Sequence, residues 1–388
     1  MATETPSGPS ASESLSTISG KRLVVACGGT GGHLFPGIAV AEEWRARGGE
    51  ALLIISEKQI DTLATEGYGH LRFERQQSIA MPRLLSPKMI GFGIGFLKGL
   101  AHSRKLIKAF NADAVLGMGG FTSTAPLVAG WMRGLPTFIH ESNAIPGRAN
   151  LLNARFSTRA LVGFETCAKH FGKRQVSVVG TPLRPSLATI PDRATALAHF
   201  GLRPDRHTLL VMGGSQGARR LNELTAQALE KLPAESVQVL HISGPQDFGL
   251  VKPAHENAPA DLTTTVIPFC AEMQMALAAA DLVVCRSGAS TLTELAAYGL
   301  PAVLVPYPFA AHDHQTRNAE GFAEAGAARL WPQDELDEET FADRLVALLE
   351  DETELQWMGI AMKAFATPGA SGAICDLIGQ SILAGRGD

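Results

Sequence analysis

The chain has 388 residues, of which 45% are hydrophobic and 19% are charged, with 40 Gly and 22 Pro. This composition is typical of a globular protein with many tight turns and excludes disordered and fibrous classes, while the length suits two domains. A net charge of −4, from 34 Lys and Arg against 38 Asp and Glu, gives no indication of a nucleic-acid partner. Residues 1–20 are rich in Ser, Thr, Glu and Pro, which predicts a disordered tail and not a signal peptide.

The five cysteines are scattered along the chain, and no two of them have the spacing of metal ligands. We expect reduced thiols in the core of a cytosolic protein. They are Cys27, Cys167, Cys270, Cys285 and Cys375. The uncharged stretch from Ala114 to Met132 approaches the length of a membrane span, but its Gly, Thr, Ser and Pro residues predict strand, loop and helix instead.

Short runs rich in β-branched residues alternate with helical patterns, which predicts parallel sheets with helices on both faces. The first set of predicted strands comprises Leu23–Cys27, Ala51–Ile55, Ala114–Gly117, Thr137–His140, Ala160–Val162 and Val176–Val179. The second set begins at Thr208 and continues through Val237–Ile242, Thr264–Ile267, Leu282–Cys285 and Ala302–Val305. The turn Gly180–Pro185 separates the two sets. We therefore predict two Rossmann-like domains, residues 21–184 and 185–365, facing a cleft at the carboxyl ends of both sheets.

Three of the predicted strands run into glycine-rich loops that precede helical patterns. The loops are Gly28–His33, Gly117–Ser123 and Gly213–Ala218. Glycine lets the backbone approach a ligand, and a helix N-terminus presents amides to an anion, so we expect phosphate binding. The first loop lacks the Lys-Ser/Thr pair of a P-loop and the spacing of a dinucleotide fingerprint, and it ends in His33. Close packing of strand and helix is the alternative explanation for each loop.

Polar side chains follow another predicted strand of the first domain. His140–Asn143 closes the strand, and Pro146–Asn150 comes shortly after it. Polar residues at strand ends commonly form the sites of α/β proteins. The alternative is that Ser142 or Asn143 caps a helix.

The second domain contains the densest group of candidate residues, Cys285–Glu294. A strand ends there in small hydroxyl and glycine residues, and Glu294 lies about one turn inside the following helix. Amides at that helix start suit a diphosphate, and the carboxylate can accept hydrogen bonds from the two hydroxyls of a ribose. Alternatively, Glu294 is an ordinary acid of the first helical turn, favoured by the helix dipole. The loop Tyr307–Asn318 offers further polar groups for a sugar.

In this order, the motifs resemble those of the MurG family of N-acetylglucosaminyltransferases, from roughly Lys21 to the end of the chain. The resemblance implies the GT-B architecture, with a C-terminal helix at about residues 366–388 that returns to the first domain. It implies inverting transfer of GlcNAc from UDP-GlcNAc to the C4 hydroxyl of MurNAc in lipid I, which gives lipid II for peptidoglycan. The alternatives are a UDP-GlcNAc epimerase of the same fold and a non-catalytic, membrane-associated protein that binds nucleotide sugars.

The same resemblance assigns donor contacts to both domains and places Glu294 on the ribose. The contacts are Thr30, Gly31, Gly32, Asn143, Arg184, Ser215, Gln216, Cys270, Ala289, Ser290, Thr291, Leu292, Thr293, Glu294 and Gln315. The residues assigned to the acceptor side are Gly119, Gly120, Phe121 and Asn150. The chain departs from the family pattern at Phe121, where tyrosine is frequent, and at Thr316, where some members have glutamine.

Direct displacement needs a base for the acceptor hydroxyl. His33 is the favoured candidate because imidazole titrates near neutral pH, and Glu141 is the second candidate. No metal or other cofactor is expected. The sequence has no Asp-x-Asp motif, and helix N-termini behind the glycine loops can stabilise the departing diphosphate.

Residues Ile79–Lys108 combine apolar and basic side chains without any acidic residue. Ser86 as N-cap and Pro87 predict the start of a helix, although four glycines weaken it. We expect this segment to dock on an anionic membrane from the cytoplasmic face of the inner membrane, where the polyprenyl-linked acceptor resides, with cell-wall synthesis proteins as possible partners. The predicted membrane residues are Leu84, Leu85, Lys88, Met89, Phe92, Phe96 and Lys98. A core helix with a solvated basic face is the alternative.

Overall fold

The structure is a computed structural model, and it describes residues 18–28, 31–57, 66–76, 88–213 and 218–385. The chain divides into two compact units. The first unit contains the chain up to Ser142, Pro146–Arg184 and the segment from Gly369 onward. The second unit contains Pro185–Pro368 and the short segment Asn143–Ile145. Because those three residues group with the second unit, the predicted extent 21–184 of the first domain is interrupted there.

The first unit is built on a seven-stranded sheet in the order β3-β2-β1-β4-β5-β6-β7, with all neighbouring strands parallel. The strands are β1 Arg22–Ala26, β2 Glu50–Ser56, β3 Arg72–Gln76, β4 Ala114–Gly117, β5 Thr137–Glu141, β6 Arg159–Val162 and β7 Val176–Val178. The helices are α1 Gly31–Ala46, α2 Lys88–Phe110, α3 Thr124–Trp131, α4 Arg148–Asn153, α5 Glu165–Ala168 and, from the end of the chain, α14 Ala370–Ala384.

The second unit repeats this plan with six parallel strands in the order β10-β9-β8-β11-β12-β13. The strands are β8 His207–Met212, β9 Val237–Ile242, β10 Thr264–Ile267, β11 Leu282–Cys285, β12 Ala302–Leu304 and β13 Ala328–Leu330. The helices are α6 Arg193–His199, α7 Arg219–Ala228, α8 Phe248–Glu256, α9 Met273–Ala279, α10 Ala289–Tyr298, α11 His314–Glu324, α12 Glu338–Leu349 and α13 Glu352–Lys363. In each sheet the order reverses beside the first strand, β1 or β8, and such a reversal is where open α/β sheets bind ligands.

The C-terminal helix α14 belongs to the first unit, as predicted. It begins at Ala370, directly after Pro368 and Gly369, and its side chains Ile374, Cys375 and Ile378 are fully buried in the same cluster as Trp44 of α1. The predicted fold class, two Rossmann-like α/β domains with a returning C-terminal helix, is confirmed.

Residues 18–20 correct the predicted disordered tail. The Ile18 side chain is fully buried in the core cluster that contains Trp44, and the Gly20 amide donates to the Gly48 carbonyl at 2.9 Å. The fold therefore begins before Lys21, because one apolar side chain in a polar segment finds a place in the core. Residues 1–17 lie outside the described part of the chain.

All five cysteines are buried free thiols, which confirms that they pack in the core. Burial raises the pKa of Cys167 and of Cys285 to about 12, so both stay protonated near neutral pH. Within the described residues, no helix has the combination of length and apolar character needed to cross a bilayer.

Candidate active site

Two of the predicted glycine loops meet at His33 in the first unit. They follow β1 and β4, which are neighbours in the sheet. His33 is the third residue of α1, and its ring packs against Gly119 and Gly120. A Cβ added to Gly119 would lie 2.8 Å from His33 Nε2, and Gly119 has a φ of +120°. Only glycine fits that position, for reasons of both space and backbone conformation.

The loop after β4 is fixed to the end of β1 by hydrogen bonds. The Met118 amide donates to the Ala26 carbonyl at 2.8 Å. The buried Ser123 hydroxyl lies 3.0 Å from that carbonyl oxygen and 2.8 Å from the Gly119 carbonyl oxygen. The backbone that contacts His33 is therefore held rigidly to the sheet.

Glu141, the second candidate base, is buried at the end of β5 and holds the following loop. Its Oε2 accepts from the Gly147 amide at 3.0 Å and from Asn150 Nδ2 at 2.9 Å. Asn150 Nδ2 also donates to the His140 carbonyl at 2.9 Å. The alternative that Ser142 or Asn143 caps a helix is wrong, because α4 begins at Arg148, its N-cap is Gly147 and no side chain caps it.

His140 is fully buried beside this carboxylate. Its Nε2 lies 2.9 Å from the Gly180 carbonyl and therefore carries the proton that it donates. Burial lowers the pKa of His140, and nearby His33 lowers it further. His140 is thus a neutral ring that links β5 to the turn at Gly180.

Arg184, a predicted donor contact, lies in the first unit and stacks on Phe35 of α1. Its guanidinium carbon is 4.7 Å from the centre of the Phe35 ring, a cation–π distance. Phe35 follows His33 by two residues, so α1 fixes the positions of both the histidine and the arginine. Sequence reasoning missed Phe35, since nothing in the spacing links it to a residue so far along the chain.

In the second unit, Glu294 lies well inside α10, which begins at Ala289. It is buried and is the sixth residue of the helix, so the alternative that it is an acid of the first turn is wrong. At the helix start, the buried Ser290 Oγ has no hydrogen-bond partner within the described residues. Thr293 Oγ1 donates to the Ala289 carbonyl at 3.0 Å, as a helix-interior threonine often does. Thr291 and Leu292 complete the first turns of the same helix.

Arg286, which precedes α10, is structural. Its Nη1 donates to the carbonyls of Val305 and Pro306, both at 3.0 Å, and its Nη2 donates to Gln333 Oε1 at 2.6 Å. The buried guanidinium thereby joins the end of β11 to the polar loop that follows β12.

Gln315 has a fixed carboxamide orientation at the start of α11. Its Oε1 accepts from the Tyr307 amide at 2.8 Å, and its backbone carbonyl accepts from Ser287 Oγ at 2.8 Å. The amide oxygen is thus on the side of the Tyr307 backbone, and Nε2 is the end directed away from it. Before α11, His312 and Asp313 have positive φ values of 56° and 52°, a conformation that costs energy for residues other than glycine.

Cys270 is buried beside the exposed Phe269, after the end of β10. Both residues line a cavity of about 290 Å³ together with His199, Phe200, Thr265, Ile267, Ala271 and Glu272. Asn143 also belongs to the second unit, where its Oδ1 accepts from Asn318 Nδ2 at 3.1 Å.

Several predicted residues cannot be placed. Thr30, Leu84, Leu85, Ser215 and Gln216 lie outside the described residues, as do Ser86 and Pro87. Of Gly31 and Lys88 the structure describes only the backbone, at the first positions of α1 and α2. Gly32 follows Gly31 in α1 and is exposed.

The predicted membrane segment forms a helix, α2, in spite of its glycines. Its exposed apolar side chains are Ile90, Ile94 and Leu97, with 75%, 53% and 64% of their surface accessible. They follow one another at helical spacing and therefore lie on one face. Exposed basic residues follow on the same helix, namely Lys98, Arg104, Lys105 and Lys108.

Three of the apolar residues predicted to enter the membrane lie on another face of α2. Met89, Phe92 and Phe96 are only partly exposed, and the Phe92 ring packs edge-on against Phe121 at 6.3 Å. The predicted set is corrected accordingly, because the helical phase directs Phe92 toward the glycine loop that contacts His33.

The sequence matches two models of one glycosyltransferase family. The model of the glycosyltransferase family 28 N-terminal domain matches residues 23–162, and that of the family 28 C-terminal domain matches residues 208–371. A relative from Desulforudis audaxviator is 36% identical over 376 residues, which cover 94% of this chain and 99% of the relative. Its name is "UDP-N-acetylglucosamine--N-acetylmuramyl-(pentapeptide) pyrophosphoryl-undecaprenol N-acetylglucosamine transferase".

Among solved structures, MurG from Acinetobacter baumannii superposes with a TM-score of 0.74 at 28% identity, covering 93% of this chain and 99% of that one. A UDP-GlcNAc 2-epimerase from Neisseria meningitidis reaches a TM-score of 0.66 at 14% identity, covering 94% and 100% of the two chains, and that likeness shows the fold alone. The chain therefore belongs to glycosyltransferase family 28 and, within it, to the MurG family of UDP-GlcNAc-dependent N-acetylglucosaminyltransferases.

Proposed function

We propose that this chain transfers GlcNAc from UDP-GlcNAc to the C4 hydroxyl of MurNAc in undecaprenyl-pyrophosphoryl-MurNAc-pentapeptide, converting lipid I into lipid II. The observation that carries the proposal is the 36% identity, across 94% of the chain, to a relative named for this transfer. An epimerase is supported only by likeness of fold at 14% identity. A non-catalytic binding protein would have no use for the fixed histidine at the glycine loops of the first unit.

The chemistry is a direct displacement at the anomeric carbon. The acceptor O4 forms a bond to C1 of GlcNAc while the bond from C1 to the diphosphate oxygen breaks, so that the configuration inverts and UDP leaves. We assign His33 as the base that takes the proton of the C4 hydroxyl. Its ring is fixed by the packing against Gly119 and Gly120, and a fixed base lowers the entropic cost of reaching the transition state.

Glu141 has a different role in this proposal. Its Oε2 already accepts two hydrogen bonds, from the Gly147 amide and from Asn150. Those bonds use the side chain to shape the loop before α4. Glu141 and Asn150 therefore support the acceptor side of the first unit, together with the Gly119–Phe121 loop.

We assign donor binding mainly to the second unit. The N-terminus of α10 presents backbone amides that suit the diphosphate, and Ser290 Oγ adds a hydroxyl at the same place. Glu294 lies further along the helix, where its carboxylate is proposed to hold the ribose. Gln315 Nε2, directed away from the Tyr307 amide, is proposed to donate to the sugar.

No metal has a part in this proposal, because amides at helix N-termini can stabilise the charge that develops on the diphosphate. Transfer measured with and without EDTA checks this point. Activity that EDTA abolishes and Mg²⁺ restores would contradict it.

We further propose that α2 docks the protein on the cytoplasmic face of the inner membrane, where the lipid-linked acceptor lies. The exposed Ile90, Ile94 and Leu97 form the apolar face, and the basic residues of the same helix suit anionic headgroups. The alternative, a core helix, describes the opposite face of α2, which buries Ser103, Ile107 and Phe110. Membrane binding and packing in the core of the first unit thus use different faces of α2.

Release of UDP from UDP-GlcNAc, with and without lipid I in detergent, tests the proposed activity. We expect UDP release and lipid II only when lipid I is present. An epimerase would instead interconvert the nucleotide sugar without an acceptor. Binding of UDP-GlcNAc without any product would support the non-catalytic alternative.

A further inference from the structure

Asn318 connects three segments of the second unit through its side chain. Its Nδ2 donates to Asn143 Oδ1 and to the Ser287 carbonyl, both at 3.1 Å. Its Oδ1 accepts from the Ala144 amide at 2.8 Å. The side chain is 2% exposed, and both of its donor hydrogens and its acceptor oxygen are used. Sequence reasoning placed Asn318 only at the end of a polar loop.

Each of the connected segments contains a proposed donor contact. Asn143 is itself such a contact, and Ser287 precedes the start of α10. Asn318 lies one helical turn after Gln315 in α11, and Ser287 Oγ donates to the Gln315 carbonyl at 2.8 Å. Asn318 is therefore buried and joins its own helix to two other segments of the proposed donor site.

The hydrogen bonds of Asn318 also determine the orientation of a neighbouring amide. Asn318 uses its NH2 group toward Asn143, so the atom of Asn143 that faces it must be the oxygen. The Nδ2 of Asn143 then points away from Asn318. A carboxylate at position 318 could still accept from Ala144, but it would have no hydrogen to donate to Asn143 or to the Ser287 carbonyl.

We propose that Asn318 is a positioning residue for the nucleotide sugar, which it serves by orienting the Asn143 carboxamide and fixing the turn that precedes α10. The proposal rests on the assignment of donor binding to the second unit. The proposal adds that donor affinity depends on Asn318, although Asn318 does not touch the donor. Asn318 acts by setting the direction of the Asn143 carboxamide, which does touch it.

A purely structural role is the competing explanation, and the chain offers a matched control for it. Gln238 is another fully buried amide of the second unit. Its Nε2 donates to the Arg203 carbonyl at 2.8 Å and to Thr208 Oγ1 at 3.0 Å, and its Oε1 accepts from the Arg203 amide at 2.8 Å. It is the second residue of β9 and so lies at the amino end of the sheet, whereas the proposed donor site is at the carboxyl end.

The first experiment compares Asn318→Asp with Gln238→Glu in the full-length protein. Each variant turns the NH2 group of a buried amide into an oxygen. Calorimetric binding of UDP-GlcNAc and thermal unfolding are measured for both. We expect Asn318→Asp to weaken donor binding by about 10-fold or more, whereas Gln238→Glu lowers the melting temperature and leaves the dissociation constant within about twofold. Donor binding by Asn318→Asp within about twofold of wild type overturns the proposal.

A second variant keeps the proposal testable if Asn318→Asp does not fold. Asn143→Asp retains an oxygen facing Asn318 and so preserves their hydrogen bond, but it replaces the outward NH2 group by oxygen. We expect donor binding to weaken by about 10-fold, and thermal unfolding of the variant measures any loss of stability separately. Unchanged donor affinity in Asn143→Asp would show that the amide direction does not matter.

The double variant Asn143→Ala/Asn318→Asp, compared with the single variants Asn143→Ala and Asn318→Asp, tests whether Asn318 acts on donor binding through Asn143. If Asn318 acts through Asn143, the loss of affinity in the double variant is smaller than the product of the two single losses. Independent, multiplicative losses contradict that route. Because these measurements use donor binding alone, they remain decisive even if the wild-type protein does not glycosylate lipid I, which would refute only the proposed activity.

Discussion

The His33 ring and the Gly119 backbone are in contact, so that a Cβ on Gly119 would lie 2.8 Å from Nε2 and 2.9 Å from Cδ2 of the imidazole. His33 lies in the first turn of α1, which follows β1, and Gly119 lies in the loop after the neighbouring strand β4. The ring of the candidate base therefore packs against the backbone of a neighbouring loop. A change in either residue should alter the position of the other.

Gly119→Ala should displace His33 and reduce turnover. The added methyl group meets the ring, and the φ of +120° is strained for alanine. We expect kcat to fall by about 10-fold or more and the free energy of unfolding to fall by about 1–3 kcal/mol. Steady-state kinetics and urea unfolding of the variant measure both effects.

Gly134→Ala is the matched control for backbone strain. Gly134 also has a positive φ, of +70°, but a Cβ there meets no atom within 4 Å. We expect some loss of stability and unchanged kcat. Equal activity in the two alanine variants would mean that the contact with His33 has no influence on turnover.

His33→Gln should abolish the proposed proton transfer while leaving donor binding intact. We expect kcat to fall by about 100-fold to 10,000-fold, with the KM for UDP-GlcNAc within about threefold of wild type. Glu141→Gln serves as the comparison, since its amide oxygen can still accept from both Gly147 and Asn150 and the loss of kcat should be smaller. A larger loss of kcat in Glu141→Gln than in His33→Gln would reverse the assignment of the base.

Most of the parallel strands are predictable because their central residues form short, continuous apolar runs. The exceptions are β3 and β13, which lie at sheet edges and pair on one side only. β3 has the sequence Arg-Phe-Glu-Arg-Gln, whose charges hide the strand pattern. An edge strand is less buried than a central one, so its sequence need not contain the apolar run by which a strand is recognised.

The candidate site is predictable where a reactive or polar side chain comes shortly after the end of a strand, as His33 and Glu294 do. It is not predictable where the partners are distant in sequence, as for Asn318 with Asn143 or Arg184 with Phe35. The exposed face of α2 also depends on the helical phase, because apolar residues occur on both faces of this helix. Only packing shows that Phe92 contacts Phe121 and that Ile90 does not lie in the core.

Removing the apolar face of α2 should weaken membrane binding. We expect the triple variant Ile90→Ser/Ile94→Ser/Leu97→Ser to bind phosphatidylglycerol vesicles at least about 10-fold more weakly, because it loses the exposed apolar surface that enters the interface. Co-sedimentation with vesicles measures this. Stability should change little, since these side chains are already exposed in the folded protein.

Trp357 and Ile360 provide the control for this experiment. Both lie on α13 of the second unit and are 65% and 64% exposed. Trp357→Ser/Ile360→Ser removes a similar amount of exposed apolar surface without touching α2, and vesicle binding should stay at the wild-type level. Equal losses in both variants would show that exposed apolar surface in general, and not α2, causes the binding.

Two buried histidines of the second unit should make its stability depend on pH. Thr264 Oγ1 lies 2.5 Å from His255 Nδ1, and His255 Nε2 lies 2.9 Å from His241 Nδ1. His241 Nε2 lies 3.0 Å from Asn222 Oδ1. Asn222 Nδ2 donates in turn to Asp247 and to the Ser243 carbonyl, so its Oδ1 must accept. Each ring therefore donates once and accepts once, which is possible only while both are neutral.

Burial lowers the pKa of His241 to about 3 and that of His255 to about 4, with His255 adding to the shift of His241. In the unfolded chain both rings take up protons near their ordinary pKa of about 6.5. Below that pH the unfolded state binds more protons than the folded state, so stability is complete above it and falls as the pH decreases toward about 4. Each histidine contributes a slope of up to about 1.4 kcal/mol per pH unit in this range.

His255→Gln should reduce that slope by about half, because a carboxamide can donate to His241 and accept from Thr264 without titrating. Urea unfolding of the wild-type and variant proteins at about pH 7.5 and about pH 5 measures the slopes. His170→Gln, at an exposed position of the first unit, should leave the slope unchanged. If His255→Gln retains the full wild-type slope, the acid sensitivity has another source, and the buried histidine pair does not control the stability of the second unit.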